Sequence, residues 1–199
     1  MSPPSRLLLM GGGGHAAVVA DAARTAHIEI IGHLDDDPSV SMDGIPRLGA
    51  IHDLTKILRT HGPKLVVHAA IGNNTVRQKW IAMARSVAAG GSLNCIKHPS
   101  AIVSPSARIG DAVFIGPLAI VNARARLADG VIVNSAAVIE HDCSIGACSH
   151  IAPNATLCGG VSVGERCVIC EGAIVRPGDV IEDGLTVGAD VRRLRRMAT

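Results

Sequence analysis

The chain has 199 residues, a formal net charge of +2, one Trp, one Phe and no Tyr. That length allows one or two domains, and the near-neutral charge gives no bulk attraction to nucleic acid or an anionic membrane. The scarcity of rings removes the stacking platforms of single-stranded nucleic acid binders, and no apolar run approaches the roughly 20 residues of a membrane span.

In chain order, residues 6–10 read as a short buried strand. Gly11-Gly12-Gly13-Gly14-His15 follows, and then residues 16–26 have helical character. A strand, a glycine loop and a helix build a phosphate site: bare backbone N–H groups approach the anion at the positive end of the helix dipole. The loop does not match G-x-G-x-x-G, and a tight βα turn is the competing reading. Two features favour ligand binding. Residues 29–34 read as a second strand ending in Asp35-Asp36-Asp37. Carboxylates about 20 residues after the glycines are placed to accept hydrogen bonds from a ribose or base. Residues 65–71 read as a third strand, ending in Gly72-Asn73-Asn74 ahead of a helix bearing Arg77 and Lys79. Three strand ends gathered together form the crevice where α/β sheets hold ligands. Lys56, Arg59 and Lys64 read as solvated surface. Residues 91–99 are a link, with Asn94-Cys95-Ile96 as a last short strand and His98 beside Pro99 as a joint residue.

Residues 101–190 then divide into fifteen consecutive blocks of six without a gap. The third residue of every block is Ile, Val or Leu, from Val103 and Ile109 through to Ile181 and Val187. The first is usually small, as at Ala107, Ala119, Ala125, Ala137, Ser149 and Ala173. Such a hexapeptide repeat signals a β-helix. Each block forms one side and one corner of a triangular prism, so 18 residues make a coil and the repeat makes five coils. At the strand spacing of about 4.8 Å the prism is about 24 Å tall. The organisation expected is therefore an α/β unit over residues 1–95, the prism over 96–190 and a basic tail over 191–199. No two of the prism's cysteines are 18 apart, so no stacked disulfide ladder is expected. Cys167 and Cys170 form a C-x-x-C with no second pair to complete a structural zinc site. Reduced thiols packed in the prism, and a cytoplasmic protein, are the expectation.

In so regular a repeat the informative residues are polar ones on its outer surface. One block ends Glu140-His141-Asp142. A neutral imidazole beside a carboxylate can take a proton from a nucleophile. His150 lies nine residues on, half a coil further round, and cannot sit over His141 of the same chain. The competing reading for each is a corner residue on a wet surface. The spacings of His98, His141 and His150 do not resemble a three-histidine zinc site, and no metal is expected.

With these residues in hand, the chain resembles the bacterial sialic acid O-acetyltransferase-like enzymes. Within that group it most resembles the acetyl-CoA-dependent N-acetyltransferases of nucleotide-linked 4-amino-4,6-dideoxy sugars. The resemblance runs from about residue 6 to about residue 180. It is carried by Gly11-Gly12-Gly13-Gly14-His15, Asp35-Asp36, Ile71-Gly72-Asn73-Asn74-Thr75-Val76-Arg77, His98-Pro99-Ser100-Ala101-Ile102-Val103 and Ile139-Glu140-His141-Asp142-Cys143. Each motif is modest alone, and their order and spacing together are specific.

The resemblance implies a Rossmann-like α/β domain followed by a left-handed parallel β-helix of about five coils. It implies a homotrimer with sites between neighbouring prisms, acetyl-CoA as acyl donor, and a nucleotide-linked amino sugar as acceptor. His141 would be the general base, with Asp142 the carboxylate that raises its basicity. His150 would face the thioester. Gly159, one coil above His141, would offer its N–H to the oxyanion. Glu171 and Ala189 would line the groove for the pantetheine arm. Gly13, Gly14, His15, Asp35, Asp36 and Asn73 would hold the sugar nucleotide. Relatives usually continue through another coil, whereas here the repeat stops near Asp190, followed by the basic tail. The alternatives are O-acetylation of a sialic-acid-type sugar and a catalytically silent trimer that binds nucleotide sugar or coenzyme.

Overall fold

A computed structural model describes residues 6–62, 64–87 and 93–188. The chain divides into two compact units, Met1–Pro99 and Ser100–Thr199.

The first unit is a four-stranded parallel sheet with helices. Its strands are β1 (Arg6–Met10), β2 (Glu29–Leu34), β3 (Arg47–Gly49) and β4 (Leu65–Ala69), in the order β3-β2-β1-β4. Leu7, Leu8, Leu9 and Met10 are all fully buried. A central parallel strand is covered on both faces, so it reads as an unbroken apolar run and not an alternating one. Met10 is in register with Leu34 on one side and Ala69 on the other. This brings the glycine loop, the acidic run and the Gly72 segment to the same edge. The chain runs from β1 outward in both directions, so the switch point of the sheet lies between β1 and β4. The short edge strand β3 and the helix α2 (Leu54–His61) have no counterpart in the sequence reading. Lys56, Arg59 and Lys64 are exposed, as expected.

Helix α1 (Gly14–Thr25) begins two residues before the expected start and buries Ala16, Val19, Ala20, Ala22 and Ala23 against the sheet. Helix α3 (Asn74–Val87) carries Arg77, which is buried. The Arg77 guanidinium donates to the carbonyls of Ile71 at 2.9 Å and Gly72 at 3.1 Å, and to Asn74 Oδ1 at 2.6 Å. It satisfies the backbone of the loop after β4, where an unpaired buried carbonyl is costly.

The second unit is the left-handed β-helix. Its two-residue strands recur every six residues from Ile102–Val103 to Thr186–Val187. Register partners are 18 residues apart throughout: Ile102 pairs with Ile120, Arg108 with Arg126, and Phe114 with Ile132. Thirteen of the fifteen block-third aliphatics are buried; Val103 and Ile109, in the first coil, are half-buried. The outward residues give the three faces different chemistry. The first carries Ile102, Ile120, Val138, Thr156 and Ile174. The second carries Arg108, Arg126, Ser144, Ser162 and Val180, and the third Phe114, Ile132, His150, Val168 and Thr186.

The corners impose a second six-residue period that the sequence reading did not contain. The last residue of block after block is left-handed, including Ala112, Leu118, Arg124, Ala136, Asp142, Cys148, Asn154 and Arg166 at φ between 54° and 62°. That conformation costs a non-glycine residue about 1 kcal/mol. Inter-coil hydrogen bonds from the same residues offset it, for example Asp142 N–H to the Ala123 carbonyl at 3.0 Å. The six cysteines are free thiols. No helix among the described residues is long and apolar enough to cross a membrane.

Candidate active site

His141 and Asp142 occupy the corner between the first and second faces. His141 Nδ1 lies 2.8 Å from Asp142 Oδ2. The carboxylate can only accept, so the ring donates from Nδ1, and in the neutral ring Nε2 is then the acceptor. The same carboxylate is gripped from the coil below: Arg124 Nε donates to Oδ1 and Nη2 to Oδ2, both at 2.7 Å. This two-pronged geometry is the strong form of a carboxylate–guanidinium pair. The bonds from Arg124 first, and then from His141, hold the Asp142 carboxyl well below the usual carboxylate range. Arg124 was not among the expected site residues. Its signal was available, since it lies 18 residues before Asp142 and corner residues one coil apart stack.

Gly159, one coil above, lies against the His141 ring. A Cβ at position 159 would sit 2.7 Å from both Cε1 and Nε2 of His141. Only a residue without a side chain leaves that ring position open. The Gly159 carbonyl accepts from Gly178 N–H at 3.0 Å, and the His141 carbonyl accepts from Gly160 N–H at 2.9 Å. These bonds fix the backbone on both sides of the ring.

His150 lies on the third face, on a different ladder from His141's corner, so one chain does not bring the two rings together. Its Nε2 is 3.0 Å from Asn134 Nδ2. Asn134 Oδ1 accepts from Ser135 N–H at 2.8 Å, which fixes the amide's orientation. The Asn134 amide therefore donates, His150 Nε2 accepts, and this ring too carries its proton on Nδ1. Asn134 was also missed by the sequence reading. Glu171 is exposed at the corner between the third and first faces. Ala189 and the basic tail lie outside the described residues.

Of the expected nucleotide residues, Gly13 and Gly14 line an open groove of about 610 Å³ together with Gly12, one side of α1 and the loop from Val40 to Ile45, whereas His15, Asp35, Asp36 and Asn73 are not part of its lining. The four glycines do two different jobs. Gly11 has φ of 106°, and a Cβ there would meet the Ala70 carbonyl at 2.8 Å. A Cβ on Gly12 would strike Val40 and the buried His33 ring at 2.6 to 2.9 Å. Gly13 and Gly14 are exposed, and a Cβ on either meets nothing within 4 Å. His15 is half-buried in the first turn of α1.

The acidic run has structural duties. Asp35 Oδ2 accepts from Gly12 N–H at 2.8 Å and Oδ1 from Asp37 N–H at 3.0 Å. Asp36 Oδ1 accepts from Ile51 N–H at 2.9 Å. Asn73 is exposed and its Oδ1 accepts from Val76 N–H at 3.1 Å, capping α3. Each carboxylate oxygen has further lone pairs, so these bonds leave acceptor capacity on Asp35 and Asp36. Among the described residues no group of three or more His, Cys, Asp or Glu is placed to hold a metal ion.

Comparison with known proteins fixes the lineage. Residues 6–84 match the PglD N-terminal domain family. PerB from Caulobacter crescentus, solved in complex with CoA and GDP-perosamine, is 41% identical. The match covers 92% of this chain and 86% of that one, with a TM-score of 0.85. The chain belongs to the nucleotide-sugar N-acetyltransferase family. Two further structures agree with this. A mutant of perosamine N-acetyltransferase from Caulobacter crescentus, in complex with CoA and GDP-perosamine, is 40% identical over 92% of this chain and 85% of that one, with a TM-score of 0.86. The acetyltransferase domain of PglB from Neisseria gonorrhoeae FA1090, in complex with acetyl coenzyme A, is 32% identical over 97% and 99%, with a TM-score of 0.80. In this family member His141, Asp142 and Arg124 form one hydrogen-bonded chain across two coils.

Proposed function

We propose that this protein transfers an acetyl group from acetyl-CoA to the 4-amino group of a nucleotide-linked 4-amino-4,6-dideoxy sugar. The observation that carries this reading is the His141 ring, fixed by Asp142 through Nδ1 at 2.8 Å, with Nε2 presented beside Gly159. The family supplies the substrate class, because its members were solved with CoA, GDP-perosamine and acetyl coenzyme A.

In the proposed reaction the sugar nitrogen attacks the thioester carbonyl while His141 Nε2 takes its proton. Negative charge collects on the carbonyl oxygen, which the Gly159 N–H stabilises. The intermediate collapses, the C–S bond breaks, and the CoA thiolate leaves with the proton from His141. Transfer is direct, in a ternary complex. Cys143 takes no covalent part: it is buried, its thiol donates to the Cys158 carbonyl, and burial raises its pKa. Asp142 and Arg124 orient the base. The nucleotide of the sugar enters the groove at Gly13 and Gly14, with His15, Asp35, Asp36 and Asn73 as its further contacts. His150, Gly159, Glu171 and Ala189 bound the coenzyme site.

We further propose a cytoplasmic homotrimer. The first face carries an outward apolar ladder in which Ile102 is 63% exposed and Ile174 69%. Side-by-side association of prisms would cover such a ladder, and it would let the His150 face of one copy meet the His141 corner of another.

The test is thiol release from acetyl-CoA with GDP-, UDP- and dTDP-linked 4-amino-6-deoxy sugars, comparing wild type with His141→Asn. Turnover on one sugar, reduced by about a thousandfold or more in the variant, is the expected result. Thiol release only with a hydroxyl acceptor, or none with any acceptor, overturns the reading.

A further inference from the structure

Among the described residues, two arginines on the second face of the prism have no counter-ion. Arg108 and Arg126 are register partners on adjacent coils, one strand spacing of about 4.8 Å apart. Both are exposed, and among the described residues neither guanidinium has a hydrogen-bond or ion-pair partner. Like charges directly opposite in a ladder repel, so an anion placed between them would relieve that repulsion. The neighbouring arginine differs, since Arg124 is already neutralised by Asp142. All three line one cleft of about 420 Å³ together with Ser106, Asp142 and Ser144. Ser144 stands in register beyond Arg126 and is exposed, with a hydroxyl able to donate. The one acidic residue in this lining is Asp142, whose oxygens are taken by Arg124 and His141. The cleft therefore holds two uncompensated positive charges beside the candidate base.

We propose that Arg108 and Arg126 bind the diphosphate of a substrate and anchor it beside the His141 corner. Guanidinium forks suit phosphate oxygens because each can offer two parallel N–H donors. The identity of the substrate rests on the function proposed above, under which both the coenzyme and the nucleotide-linked sugar carry a diphosphate. The anion site itself does not depend on that reading.

Calorimetric titration with inorganic pyrophosphate tests the site directly on wild type, Arg126→Gln and the Arg108→Gln/Arg126→Gln double variant. The double variant is expected to lose one pyrophosphate equivalent per chain. Steady-state kinetics then separate the sources. A rise of about tenfold in KM for the nucleotide sugar, with KM for acetyl-CoA and kcat unchanged, assigns the sugar diphosphate. The converse assigns the coenzyme. Arg126→Lys should recover part of the loss, because it restores charge without the fork. Unchanged pyrophosphate stoichiometry overturns the proposal. So does loss of the assembly's mass by sedimentation in the double variant, because the arginines would then be meeting a second copy of the chain. Pyrophosphate bound by wild type and lost in the double variant, without turnover of any amino sugar, would leave the anion site standing and remove the proposed function.

Discussion

Arg124 lies one coil before Asp142, and its guanidinium holds both oxygens of that carboxylate at 2.7 Å while His141 Nδ1 reaches Oδ2 at 2.8 Å. The imidazole, the carboxylate and the guanidinium thus form one orienting chain across two coils. Arg124→Gln removes the fork and keeps an amide donor. Asp142 then titrates closer to an ordinary aspartate, at about 3.9, and its carboxylate is free to swing. The expected results are an upward shift of the Asp142 carboxyl resonance titration by NMR and a fall in kcat of about tenfold. An unmoved titration would show that Arg124 does not hold this carboxylate in solution. Because the folded-state pKa of Asp142 is depressed, its stabilising contribution is present above the ordinary aspartate value and is lost as pH falls.

Gly159→Ala tests the ring position. The added methyl would lie 2.7 Å from His141 Cε1 and Nε2, so the ring must move. A side chain at an exposed corner can yield without unfolding the prism. The expected outcome is a melting temperature close to wild type with kcat lowered by about a hundredfold. Wild-type kcat in this variant would separate Gly159 from the reacting geometry.

His68 supplies a pH signature of the first unit. It is buried in β4, and burial first of all lowers its pKa from 6.5 to about 4. The unfolded chain takes up this proton near 6.5 and the folded one only near 4. Between those values the unfolded state binds more protons, so stability falls with falling pH. From about pH 7.5 to about pH 5 the loss attributable to His68 is about 2 kcal/mol. Urea unfolding of wild type and His68→Gln at both pH values checks this: the difference between the two pH values should shrink in the variant.

The glycine loop predicts opposite behaviour for adjacent substitutions. Gly12→Ala forces a methyl into His33 and Val40 and should destabilise the fold by about 1 to 3 kcal/mol. Gly14→Ala meets nothing within 4 Å and sits in the first turn of α1, so stability should hold or rise slightly. A methyl there projects where the proposed nucleotide lies, and KM for the sugar nucleotide should rise. Thermal melts and KM values for the pair settle both points. Equal destabilisation by the two would contradict the division of labour within the loop.

The repeat was legible because it is a local rule applied fifteen times. A block of six places one side chain inward, the inward position tolerates only branched aliphatics, and a coil of three blocks sets the 18-residue register that the ladders show. The same arithmetic placed Gly159 beside His141. The strand, glycine loop and helix at residues 6–25 were legible for a similar reason, since a fully buried central strand and a tight turn each demand a narrow set of residues. What only the tertiary structure decided is how polar side chains are shared. Asp142 is claimed by Arg124 as well as by His141, Asn134 fixes the proton of His150, and Asp35 closes the glycine loop through Gly12. Arg77 turned inward to satisfy the Ile71 and Gly72 carbonyls, and His33 packed beneath Gly12. Apolar burial leaves a periodic imprint because it depends on which face a residue takes. Hydrogen bonds leave none, because each depends on direction and on partners that meet only when distant segments are folded together.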